Sequence, residues 1–393
     1  MLCAALCASA PAHAAELRVL SFNGWGVWMV APAREARFEA MGPAITALRP
    51  DLVAMQEVWL DEDADRLIEA FHEAGLTHSR RFTSVWPGHS GLLIASRYPI
   101  TKSAFLEYTE GTHPNVPWHV DWMAGKGMAR VRIQTPQGPI DFANTHVQAS
   151  YGGTKDYDLI QLAQLLEAGD FLDEPRDVPL IVAGDLNVRC ASLQFRAFAL
   201  RAGLTPAAPD CGIDSISHRP SAHHRLRVHD VQSVLTEVHA LSDGSHQRLS
   251  DHPGVLAVLT MQPQDAPALA LTPPQKVWTQ LLREALPRVH AQHRTLSQAQ
   301  MQHGVLSFVL MQAALLCLLI RTRRVRIRLP AQAPLRLTAA ITLSGALWFA
   351  YLGLSYAPKH LGELERVKQQ LQSPLQAAML GARATPIRTT SVP

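Results

Sequence analysis

Five short polar clusters carry the residue types of a hydrolytic metal site. Asn23 ends the segment Arg18-Val-Leu-Ser-Phe-Asn23, Glu57 ends Asp51-Leu-Val-Ala-Met-Gln-Glu57, and His146 ends Ile140-Asp-Phe-Ala-Asn-Thr-His146. Gly184-Asp185-Leu186-Asn187 follows an apolar run over 178–183, and Ser250-Asp251-His252 precedes another over 255–259. The chemistry this set suits is phosphodiester hydrolysis. That reaction needs a metal to neutralise phosphate charge, an activated water, and stabilisation of the negative charge that develops. Glu57 and Asn23 offer hard oxygen ligands suited to magnesium. Asp185 and Asn187, two apart on one turn, are candidates to hold the attacking water and a phosphate oxygen. His252, with Asp251 beside it in sequence, is the candidate general base. Histidine titrates near working pH, and such a base contributes about 10²–10⁴-fold. His146 is a candidate hydrogen-bond donor to the phosphoryl oxygen.

Each cluster lies at the end of an apolar run, where a strand leaves its sheet and side chains from several strands can meet. Strands are predicted over 92–95, 128–133, 140–143, 178–183 and 255–259, and helices over 61–74 and 157–172, where the apolar spacing is helical. This alternation predicts one mixed α/β domain over 15–262. The segment 263–302 reads as a Pro- and Ala-rich linker followed by a polar amphipathic helix.

Charged residues make up 18% of the chain, below the ordinary level of about 25%. The deficit lies at the two ends. Residues 1–14 are small and apolar and finish Ala12-His13-Ala14, the pattern of a signal peptide with its cleavage site; the missing positive n-region reads as a shortened signal. Near the other end, 303–320 and 337–357 are each about long enough to cross a hydrocarbon core of roughly 30 Å. Six arginines over 321–336 separate them, which predicts a cytoplasmic loop with both flanks facing outward. The expectation is a two-span transmembrane helical hairpin followed by a tail over 358–393. A net charge of +3, with no basic run interleaved with aromatics in 15–262, gives no reason to expect a specific nucleic-acid partner. Of five cysteines, only Cys190 and Cys211 fall outside the predicted signal and spans, and in an exported domain they are candidates for a disulfide. The His-, Arg- and Pro-rich stretch 206–229 reads as a solvated loop. Trp28, Trp86, Trp118 and Trp122 are divided between lipid interface and core packing.

In their order, Asn23, Gln56-Glu57, Asn144-Thr145-His146, Gly184-Asp185-Leu186-Asn187 and Ser250-Asp251-His252 resemble the endonuclease/exonuclease/phosphatase superfamily over residues 17–260. The resemblance implies an α/β, four-layer sandwich of two β-sheets flanked by helices, and Mg2+ as the metal, one ion or two, with Mn2+ as substitute. Within that superfamily, Phe22-Asn-Gly-Trp-Gly26, Gln56-Glu-Val-Trp59, Ser90-Gly-Leu92, Ser96-Arg-Tyr-Pro-Ile100 and Asp121-Trp-Met-Ala-Gly-Lys126 resemble segments of the neutral sphingomyelinases. Membrane-anchored animal members also carry a two-span hairpin after the catalytic domain. This resemblance implies a phosphoric diester hydrolase of phospholipase C type, acting on a membrane phospholipid or sphingolipid substrate such as sphingomyelin. By it, Asp121 and Lys126 would be the pair whose contact switches the site between inactive and active arrangements. Asp230 would match the Asp of the family's Arg-Ile-Asp-Tyr strand and stand behind the site, although His229 replaces Ile and Val231 replaces Tyr. The expected location is a bacterial-type inner membrane with the catalytic domain on its periplasmic or extracellular side; the oligomeric state is left open. Two other readings remain: a metal-dependent nuclease or inositol-phosphate-type phosphatase on the same fold, and a binding domain without catalysis.

Overall fold

The computed structural model describes residues 16–27, 30–84, 90–109, 121, 125–151, 157–173, 177–264, 275–322 and 332–380. The expected signal peptide, most of the arginine-rich loop, and Trp28, Trp86, Trp118 and Trp122 lie outside them. The chain divides into two compact units, residues 1–111 with 123–273, and 112–122 with 274–393.

The first unit runs β1 (Glu16–Asn23), α1 (Arg34–Ala47), β2 (Leu52–Gln56), α2 (Asp61–Glu73), β3 (His78–Arg81), β4 (Leu93–Ser96), β5 (Ile100–Glu107), β6 (Gly127–Thr135), β7 (Gly138–His146), α3 (Asp158–Phe171), β8 (Leu180–Asp185), α4 (Leu193–Ala202), β9 (Thr205–Pro206), β10 (Asp214–Arg219), β11 (His224–Val234), β12 (Val238–Ala240), β13 (His246–Arg248) and β14 (Gly254–Pro263). One sheet has the order β11-β14-β1-β2-β4-β3, the other β5-β6-β7-β8-β10-β9, with β12 and β13 as a separate hairpin. Inside the sheets every residue of β2 and β8 is buried, which is why Leu52-Val-Ala-Met and Leu180-Ile-Val-Ala read as continuous apolar runs rather than alternation.

Both sheets are mixed, because β1 runs parallel to β2 and β7 parallel to β8 while the other pairings are antiparallel. The sheets face each other across a dry layer that includes Val19, Leu52, Ile94, Val131, Phe142, Ile181 and Ile216. The outer face of the first sheet packs under α1 and α2 through Phe22, Phe38, Met41, Val53 and Phe71. The outer face of the second packs under α3 and α4 through Ala143, Leu165, Val182, Phe195 and Phe198. Buried polar side chains also join the two sheets. Fully buried Asn144 donates through Nδ2 to the carbonyls of Met55 (2.8 Å) and Leu93 (3.1 Å) and accepts from Gln56 Nε2 (2.7 Å), so the tip of β7 is pinned to the tip of β2.

The pairing directions bring the polar tips together. Parallel register sets Asn23 beside Gln56, and His146 beside Asp185. Antiparallel register sets Asp214 opposite Asp185. His252 lies just before β14, which runs antiparallel to β1 and so begins at the end where β1 finishes.

The second unit is helical. α5 (Gln275–Thr322) is one continuous helix, so the amphipathic helix and the first span expected over 276–320 are a single element. α6 (Gln332–Tyr351) passes through a π-helical turn, Leu352–Tyr356, into α7 (Ala357–Leu380). The N-terminal part of α5 buries Trp278, Leu281, Leu282, Ala285 and Val289, and α7 buries Leu364, Val367 and Leu371; Trp278 Nε1 donates to the Leu371 carbonyl at 2.8 Å. Further along α5, Ser307 Oγ donates to the Ala346 carbonyl of α6 at 2.9 Å, while Val305, Phe308, Val309, Ile341, Leu347 and Leu354 are exposed. Among the described residues one helical stretch, Ala340–Ser373, is long and apolar enough to cross a membrane.

Candidate active site

Asn23, Glu57, His146, Asp185 and His252 lie together at one end of the two sheets. Asn23 Nδ2 donates to Glu57 Oε1 (2.9 Å) and to Asp185 Oδ2 (3.0 Å), while its Oδ1 accepts from the Trp25 N–H (2.9 Å). It therefore meets both carboxylates as a donor. Asp185 Oδ2 is also 3.5 Å from His146 Nε2 and 3.9 Å from His252 Nδ1, which makes it the hub of the cluster. Asp185 Oδ1 accepts from the backbone N–H of Asn187 (2.9 Å), whose Nδ2 in turn donates to the Val147 carbonyl (2.9 Å).

Two of these residues are held in left-handed backbone, Glu57 at φ +56° and Asn187 at φ +51°. Such conformations cost of order 1–3 kcal/mol each and persist where the surroundings over-determine them. At Glu57 the surroundings include Gly26, where a Cβ would overlap the Glu57 carbonyl, so only glycine lets the loop after β1 approach this closely. A disulfide joins Cys190 to Cys211 with Cα atoms 5.4 Å apart, linking the segment after Asn187 to the segment before Asp214.

His252 takes its orientation from Asp214, whose Oδ2 is 2.7 Å from His252 Nδ1. Sequence reading passed over Asp214 in favour of Asp251. The Asp251 side chain is half exposed and reaches only to 4.0 Å from His252 Nε2. The one sequence signal for Asp214 is its place at the head of the alternating run Asp-Ser-Ile-Ser, a strand tip like the others. Lys126 is buried with its ammonium 2.7 Å from His146 Nε2 and 3.2 Å from Nδ1, while Asp121 belongs to the other compact unit. Asp230 is exposed at the irregularity of β11 and accepts from Gln232 Nε2 at 2.5 Å, so it does not join the cluster. The ring of Trp59 lies 6.5 Å from that of His146.

The electrostatics follow from burying like charges together. Burial, and then the charge of Asp214, push Asp185 up to about 7 against the pull of His252 and Lys126. Burial, and then the charges of Lys126 and His252, hold His146 well below its ordinary value, so its imidazole is neutral at pH 7. At His252 burial acts downward, but the hydrogen bond to Asp214 and the charges of Asp185, Asp214 and Asp251 outweigh it and raise the value to about 9. Ligand atoms of Asp185, Asp214 and His252 lie within 4.8 Å of one another, and Asp214 Oδ1 is buried with no hydrogen-bond partner. A buried cluster of carboxylates with an unsatisfied oxygen fits a hard divalent cation.

A model of the endonuclease/exonuclease/phosphatase family matches residues 20–258. Inositol phosphosphingolipids phospholipase C of Schizosaccharomyces pombe is 34% identical over 225 residues, covering 56% of this chain and 52% of that protein. Sphingomyelin phosphodiesterase 2 of Homo sapiens is 28% identical over 182 residues, covering 45% of this chain and 42% of that protein. The chain thus spans about half the length of the curated relatives it matches. Among solved structures, sphingomyelinase C from Streptomyces griseocarneus superposes with a TM-score of 0.49 at 20% identity, covering 62% of this chain and 99% of that one.

Proposed function

The chain belongs to the endonuclease/exonuclease/phosphatase family, and on that premise we propose that it is a magnesium-dependent phosphodiesterase of phospholipase C type that cleaves a phosphosphingolipid to a lipid alcohol and a phosphorylated headgroup. The observation that carries the reading is the His252–Asp214 pair at 2.7 Å, set against Asp185 at one end of the sheets with Glu57 beside it. The sphingolipid part is supported by relatives named inositol phosphosphingolipids phospholipase C and sphingomyelin phosphodiesterase 2.

In this mechanism His252, in its neutral form, takes the proton of the attacking water on Nε2, and because its value is raised to about 9 the share of that form grows as pH rises toward 9. Asp214 holds the opposite ring nitrogen and stabilises the imidazolium that forms, the arrangement in which a carboxylate orients a histidine base. Asp185 and Asn187 orient the water and a phosphate oxygen. Lys126 and His146 form the donor side, where a buried ammonium is worth more than in water as negative charge grows on the phosphoryl oxygens. Glu57 and Asp185 would hold a magnesium ion, which when bound supplies charge neutralisation at the phosphate. In the same reading the C-terminal part of α5 and α6 cross the membrane as a hairpin. The arginine-rich loop is then cytoplasmic, and the catalytic unit faces the periplasm or cell exterior, where tethering raises its effective concentration at lipid.

The test is release of phosphorylated headgroup from sphingomyelin and from an inositol phosphosphingolipid in mixed micelles. It is run with magnesium, with excess EDTA, and with His252→Ala. Release that needs magnesium and is lost in the variant supports the proposal. No release from either lipid, with magnesium-dependent cleavage of DNA or of inositol phosphates, would replace the substrate class.

A further inference from the structure

One guanidinium ties together the two halves of the site. Arg37, on the first turn of α1, is fully buried. Its Nη1 donates to the carbonyls of Gly24 (3.0 Å) and Leu249 (2.7 Å), its Nη2 to that of Trp25 (2.8 Å) and its Nε to that of Pro32 (2.9 Å). The Trp25 ring lies under it, 4.8 Å from ring centroid to guanidinium carbon. These carbonyls are not a random set. Gly24 and Trp25 directly follow Asn23, Gly24 N–H donates to the Gln56 carbonyl just before Glu57, and Leu249 precedes Ser250-Asp251-His252. The β1–β14 ladder does not reach these two loops, which leave β1 and enter β14 beyond its last rung, Ser21 with Val255.

We propose that Arg37 is a positioning residue that fixes the spacing between the Asn23–Glu57 end of the site and the His252 end. Only arginine suits the task. Its planar fork of donors meets carbonyls from three directions at once, whereas a lysine ammonium is a point charge that cannot span them. With the fork gone, the loop that carries Trp25 and the loop that carries His252 keep their own turns but lose their common reference. A displacement of about 1 Å between reacting groups costs on the order of 10²-fold in rate.

The test uses the full chain in detergent, as wild type and as Arg37→Lys. Three quantities are read: thermal unfolding, Mn2+ affinity by electron paramagnetic resonance, and magnesium-dependent turnover at saturating phosphosphingolipid. The expected result is a folded variant at the assay temperature with Mn2+ affinity weakened several-fold, kcat down about 10–100-fold and KM changed less than about 3-fold. A purely structural role would lower the unfolding temperature and scale activity with the folded fraction while leaving Mn2+ affinity unchanged, and that outcome overturns the inference. So does a variant with wild-type kcat and Mn2+ affinity. Should Arg37→Lys fail to fold, Trp25→Leu removes the ring that holds the guanidinium in the plane of its carbonyl hydrogen bonds and so loosens the fork. Weaker Mn2+ binding at an unchanged unfolding temperature then supports the role, and unchanged binding overturns it. The turnover arm rests on the function proposed above. Mn2+ affinity does not, so a wild type that cleaves no phosphosphingolipid would sink that function and still decide the role of Arg37.

Discussion

A proton on His252 Nδ1 has one close acceptor, Asp214 Oδ2 at 2.7 Å, and the rate should depend on it. Asp214→Asn is expected to lower kcat by about 10²–10⁴-fold, the range for a general base that loses its orientation and tautomer. Asp251→Asn, at a half-exposed side chain 4.0 Å away, is expected to change kcat less than about 5-fold. Turnover of the two purified variants side by side checks both statements, and equal losses would restore Asp251 as the partner. The reason sequence pointed to Asp251 is instructive. Adjacent residues are close in the chain, but in the bend before β14 Asp251 stays half exposed and 4.0 Å from His252 Nε2, and the useful carboxylate comes from a strand set opposite Asp185 by register. Asn23, Glu57, His146, Asp185, Asn187 and His252 were legible because each stands beside a distinctive apolar run. Arg37 was not, because an arginine on a helix gives no hint in sequence of the four carbonyls it meets.

Strands and the loops between them hold these side chains in register, and two substitutions probe that support. Gly26→Ala forces a methyl into the Glu57 carbonyl, and is expected to destabilise by about 1–3 kcal/mol, as overpacking does, and to weaken metal binding; calorimetry and Mn2+ titration check it. The second concerns the β6–β7 pair, where Asp141 accepts from Arg130 Nη2 (2.5 Å) and from Arg132 Nε (2.7 Å). Burial pushes the Asp141 carboxyl up, but the two arginines more than offset it and hold it below the ordinary carboxylate value. A depressed carboxylate contributes stability that is fully present above its unfolded value, near about 4, and is lost as pH falls through the lower folded one. Urea midpoints of wild type and Asp141→Asn should therefore differ at pH 7 and converge on acidification below about pH 4; a gap that widens in acid refutes the assignment. The predicted strands that overlap β4, β6, β7, β8 and β14 were visible as apolar runs. β5 and β11 were not, since Ile-Thr-Lys-Ser-Ala-Phe-Leu-Glu and His-Arg-Leu-Arg-Val-His-Asp lie at sheet edges, where much of the strand faces water and polar residues break the pattern.

On the scale of the whole chain, a mixed α/β domain was readable from the alternation of apolar runs and helical spacing, while the continuity of α5 across 275–322 was not, because its polar and apolar portions read as different elements. If the helical unit tethers catalysis to lipid, residues 16–264 alone should cleave micellar substrate within about 10-fold of the full chain but lose about 10²–10⁴-fold on intact vesicles. Equal loss on both substrates would mean that the helical unit supports folding rather than reach. β14 begins two residues after His252 and ends at Pro263, where the chain leaves for α5, and it lies between β1 and β11 along most of its length. If the helical unit is the anchor proposed above, the component of any pull along the strand axis loads the rungs on both sides in shear, all together rather than one after another as in unzipping. Such a pull would have to break two ladders at once before the far end of β14 shifted, so on that proposal the strand would act as a strain relief between the tether and the imidazole.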